Sequence, residues 1–133
     1  MTRRVVVTGV GVVTGYGVGR KVFWDGIQSG RSAVRALDWE GWESAPVQVA
    51  AQVPDQLDGD GWRNLQMARF ALREAIEMSG VGGGAGLAGA IGWPGPGEKG
   101  KGKDPLKILA EEMSLQGERV ESLAACAAST QAM

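Results

Sequence analysis

A chain of 133 residues with 44% hydrophobic residues is long enough for one domain with its own core, which excludes disorder along its whole length. Its 14 basic and 15 acidic residues are scattered along the sequence, which excludes a nucleic-acid-binding arm or a polybasic membrane patch. With no histidine and one cysteine, we expect neither a metal ion nor an internal disulfide.

The first predicted element is a strand over residues 4–8. This segment is a β-branched run that ends at Gly9, a pattern typical of a buried strand leading into a glycine-rich turn. Its three valines are too few for a signal peptide, and no window of the chain approaches the ~20 apolar residues of a membrane span. We therefore expect a cytoplasmic protein that is not inserted in a membrane.

The glycines after this strand invite a dinucleotide-binding interpretation. Gly9 and Gly11 would require a third glycine at position 14, which holds Thr14. A tight turn that lets the next segment pack against the sheet explains these glycines better, and no cofactor is expected. A small α/β nucleotide-binding module stays open as an alternative.

A short helix and a half-exposed strand are predicted next. Residues 21–29 carry apolar side chains at helical spacing, and Gly30 follows as the C-terminal cap. Over residues 47–53 valines alternate with smaller or polar residues, which is the period of a strand.

The strongest helix signal covers residues 61–79, where a broad apolar stripe indicates burial on more than one side. Asp60 is the predicted N-cap and Gly80 the left-handed stop. A glycine-rich, partly flexible stretch follows over residues 80–103, with a central strand predicted at 87–91.

Two further elements are predicted towards the end of the sequence. Asp104 and Pro105 form an N-cap and a first-turn proline for a helix through Met113. Residues 120–124 are typical of a strand that breaks into a helix of small residues. Apolar strands that alternate with helices indicate an α/β fold with a mainly parallel sheet and flanking helices.

Cys126 lies where this last strand would meet the last helix. A lone cysteine among alanines is often a small buried hydrophobe. At the N-terminus of a helix, however, unpaired N–H groups and the positive end of the helix dipole favour the thiolate. The position therefore makes Cys126 a candidate nucleophile, although it identifies no reaction.

Several segments resemble one protein family, in the same order along nearly the whole chain: residues 3–14, 23–24, 30–33, 67–75, 88–92, 114–117 and 124–129. The family they resemble is that of the β-ketoacyl-[acyl carrier protein] synthases, so the chain is identified as similar to the N-terminal part of such an enzyme. The resemblance implies a thiolase-like fold of which residues 1–133 supply most of the first of two similar halves.

The resemblance also implies an activity and partners. Cys126 would accept an acyl group from acyl carrier protein as a thioester, with its own backbone N–H helping to hold the oxyanion. Malonyl-carrier protein would then be decarboxylated, and its carbanion would extend the chain by two carbons, in fatty acid or polyketide synthesis. Expected partners are acyl carrier protein and a second synthase-type chain, in a homodimer or heterodimer.

Two departures from the family pattern limit this expectation. The family uses two histidines for decarboxylation, and this chain has none. The stretch over residues 92–106 is also shorter than usual. The chain is therefore expected to be a truncated synthase domain, incomplete for the full reaction. The alternative is a non-catalytic, synthase-like interaction subunit that pairs with a complete synthase.

Overall fold

Helices and short strands alternate along the part of the chain that the computed structural model describes, which is residues 4–37, 40–41, 43–54, 57, 59–91, 102–122 and 124–132. The helices are α1 (Arg20–Gln28), α2 (Arg63–Ser79), α3 (Pro105–Glu112) and α4 (Ala128–Gln131). The strands are β1 (Val13–Thr14), β2 (Gly17–Val18), β3 (Arg35–Ala36), β4 (Val49–Ala50), β5 (Leu87–Gly89) and β6 (Arg119–Glu121). The α/β character predicted from the sequence is confirmed.

The ends of the helices follow the local signals in the sequence. Gly30 and Gly80 adopt left-handed φ angles of 66° and 67°, which stops α1 and α2 where the sequence predicts. The Asp104 side chain accepts a hydrogen bond from the amide of Lys107 at 2.9 Å and so caps α3.

One predicted cap is wrong. Helix α2 begins at Arg63 with Trp62 as its N-cap, so the helix does not start at position 61 and Asp60 does not cap it. The reason is Gly61, whose φ of 107° is incompatible with a right-handed helix. Asp60 instead offers its backbone carbonyl to the guanidinium of Arg69 at 3.0 Å.

The strands form three pairs among the described residues. β1 pairs with β2 and β3 with β4, both antiparallel, while β5 pairs with β6 in parallel. The expectation of a mainly parallel sheet is therefore not confirmed. Each predicted strand that forms is also shorter than its sequence pattern, because only the residues with a backbone partner are fixed as strand.

The predicted buried strand over residues 4–8 does not form. Val5, Val6 and Val7 are 95%, 71% and 83% exposed, and no described residue bonds to their backbone. A strand needs a neighbouring backbone, and β-branched side chains alone do not supply one.

The glycines that follow approach helix α2 and not a sheet, which corrects the packing partner expected from the sequence. A Cβ atom at Gly9 would collide with the carbonyl oxygen of Ala75, and one at Gly11 with that of Ala71. Both glycines therefore allow the chain to lie directly on the backbone of α2.

The core lies between α2, α3 and β5. Trp62, Leu65 and Leu109 are its buried centre, and partly buried side chains surround them, among them Leu72 and Leu87. Of the glycine-rich stretch predicted to be partly flexible, 80–103, residues 92–101 lie outside the described residues. No helix in the described ranges is both long and apolar enough to cross a membrane.

Candidate functional site

The candidate site is the connection that follows β6. Strand β6 lies beside β5 in parallel, with Leu87 opposite Arg119 and Gly89 opposite Glu121. The ladder continues one residue further, because the amide of Ser122 donates to the carbonyl of Gly89 at 2.9 Å. The segment that leads to Cys126 thus leaves the sheet from a fixed point.

Cys126 lies in the short turn between the strand and the last helix. Residues Ala125–Ala127 form one turn of 3-10 helix, closed by the amide of Ala127 donating to the carbonyl of Ala124 at 3.1 Å. Helix α4 starts at the next residue, Ala128, which is buried. The predicted order of strand, turn and helix around Cys126 is confirmed, but the strand ends at Glu121 and not at residue 124, and Cys126 lies two residues before α4 and not in its first turn.

The thiol of Cys126 is free and exposed to solvent. Ala124, two residues before it, and Ala127, the next residue, are exposed as well. The sulfur is therefore accessible to a reagent from the solvent. No described side chain forms a hydrogen bond or ion pair with the thiol, and no described group of acidic or cysteine side chains could hold a metal ion.

A side-chain hydrogen bond closes the segment around Cys126. The hydroxyl of Ser122 donates to Oε1 of Gln131 at 2.8 Å, which joins the end of β6 to the last residue of α4. Because Ser122 is also held to β5, this bond fixes both ends of the segment that carries the cysteine. We call residues 122–131 the cysteine elbow. The sequence gives no signal for this pair, since serine and glutamine nine residues apart form no known motif.

Two cavities of the described residues do not include the elbow, although one of them reaches Glu121 next to it. An open cavity of about 460 Å³ is lined by Tyr16, Arg31 and Arg35, among others. There the Arg35 guanidinium donates hydrogen bonds to the backbone carbonyls of Gly15, at 3.2 Å, and Gln52, at 2.7 Å. We therefore assign this cavity a structural role and keep the elbow as the candidate site.

Comparison with known proteins identifies one family. The family model described as "Beta-ketoacyl synthase, N-terminal domain" matches residues 2–81, and Cys126 lies outside that match. No solved structure matches the chain.

Several curated proteins from Streptomyces are similar to parts of the chain. A polyketide beta-ketoacyl synthase 2 of Streptomyces halstedii is 45% identical over 53 residues, which are 40% of this chain and 13% of that protein. A polyketide beta-ketoacyl synthase 1 of Streptomyces cyaneus is 37% identical over 90 residues, 61% of this chain and 21% of that protein. The oxytetracycline polyketide beta-ketoacyl synthase 1 of Streptomyces rimosus is 39% identical over 90 residues, which are 59% of this chain and 21% of that protein. The chain thus spans about a fifth or less of the length of these relatives.

Proposed function

Because this chain belongs to the β-ketoacyl synthase family, whose N-terminal domain matches residues 2–81, we propose that it takes part in acyl transfer with Cys126 as the acyl-accepting nucleophile. The resemblance seen in the sequence is confirmed at the level of the family. The observation that carries the proposal for Cys126 is its exposed position in the turn between β6 and α4. Family membership further implies a thiolase-like fold.

The proposed reaction is a thioester exchange. The Cys126 thiolate attacks the carbonyl carbon of an acyl thioester, and the carbonyl oxygen becomes an oxyanion. When the intermediate collapses, the carrier thiolate leaves and takes up a proton from solvent, and the acyl group remains on the sulfur. Backbone N–H groups at the start of the turn, that of Cys126 first, are the proposed donors to the oxyanion.

The proposal for this chain stops at acyl loading. By resemblance, the condensation step of the family needs two histidines, and the chain contains none. Proton transfer and enolate stabilisation during decarboxylation therefore have no equivalent group here. The proposed partner for loading is acyl carrier protein, and a second synthase-type chain remains the proposed partner for assembly.

The substrate branch is proposed from the relatives. The proteins of Streptomyces cyaneus and Streptomyces rimosus are named as polyketide synthases, and both cover more than half of this chain. We therefore propose a polyketide-type acyl thioester as the substrate, in place of the fatty acid alternative.

Intact-protein mass spectrometry tests the proposal. The chain is incubated with an acyl-carrier protein, and the expected result is a mass increase of one acyl group on the native chain and none on Cys126→Ala. Peptide mapping should place the adduct at residue 126. A native chain that gains no acyl group, yet binds a complete synthase tightly, would favour the non-catalytic interaction subunit instead.

A further inference from the structure

We draw no further inference here: the strongest candidate, the apolar surface groove between helix α2 and strand β5 with the exposed valines of residues 5–7 at its edge, carries none, because nothing in the structure shows what covers it.

Discussion

The guanidinium of Arg69 on α2 donates two hydrogen bonds to the carboxylate of Glu112 on α3, at 2.6 Å and 2.8 Å. Arg69 is buried and also donates to the carbonyl of Asp60 at 3.0 Å. This paired contact joins the two helices that enclose the core. It also makes the fold sensitive to the protonation of one carboxylate.

Acid should weaken the fold through Glu112. The hydrogen bonds from Arg69 hold the pKa of Glu112 below its ordinary value of 4.5, although partial burial acts in the opposite direction. The folded state therefore binds this proton less readily than the unfolded state. The stabilisation is complete above about pH 5 and is lost as the pH falls through the lowered pKa, which denaturant unfolding at several pH values would measure.

Glu112→Gln should lower the free energy of unfolding at pH 7 by about 1 to 3 kcal/mol. The lower end is expected, because 35% of the Glu112 side chain is exposed and solvent screens the pair. Part of the acid dependence should disappear in this variant. Glu111→Gln is the control, since that carboxylate is 66% exposed and lies 4.0 Å from Lys107; an equal loss in both variants would contradict the role of the pair.

Glu74 on α2 should hold both ends of the segment that contains the β1–β2 pair. Its two carboxylate oxygens accept hydrogen bonds from the amides of Val12 and Arg20, both at 2.9 Å. Glu74→Ala leaves both amides without this acceptor and should cost about 1 to 3 kcal/mol, while Glu74→Gln should cost less. Amide hydrogen exchange should accelerate at Val12 and Arg20, whereas the exposed Glu77→Ala on the same helix should change neither rate.

The helix ends could be predicted from the sequence, whereas these long-range contacts could not. Gly30 and Gly80 end helices, and Asp104 begins one, through contacts that reach only a few residues along the chain. The local sequence pattern is therefore sufficient to predict these helix ends. Glu74 meets Val12 across 62 positions and Arg69 meets Glu112 across 43, and a single sequence carries no local signal for such pairs. The predicted strand at 4–8 failed for the same reason, since strand formation depends on a distant partner.

At the candidate site, the sequence predicted the order of elements but not what fixes them. The position of Cys126 between a strand and a helix followed from local patterns. The bond from Ser122 to Gln131 and the bond from Ser122 to Gly89 depend on the paired strands and could not be predicted.

Close packing against α2 should make Gly11 intolerant of a side chain. A Cβ atom there would overlap the backbone of Ala71, which cannot move away as a flexible side chain could. Gly11→Ala should therefore destabilise the fold by about 1 to 3 kcal/mol in thermal or denaturant unfolding. Gly82→Ala is the matched control, because nothing lies within 4 Å of its added Cβ atom and the change should be neutral or slightly stabilising.

Loss of the Ser122 hydroxyl should loosen the cysteine elbow. If Cys126 accepts acyl groups, Ser122→Ala should slow acylation by an acyl thioester by up to about 10-fold, corresponding to the loss of one net hydrogen bond. Ser122→Thr keeps the hydroxyl and should retain most of the rate. Ser129→Ala, an exposed serine of α4, is the control; equal rates for all four chains would show that the bond does not position the sulfur.

The hydrogen bond from the Ser122 amide to the Gly89 carbonyl makes the position of the Cys126 thiol depend on the pairing of β5 with β6. The cysteine elbow is not anchored to the sheet until β5 and β6 have paired. The two strands can pair only when the long connection between them, which contains α3, has brought them together. Parallel pairing of strands so far apart in sequence is intrinsically slow, because the entropy of loop closure opposes it. The thiol therefore takes its folded orientation only after this part of the molecule is complete.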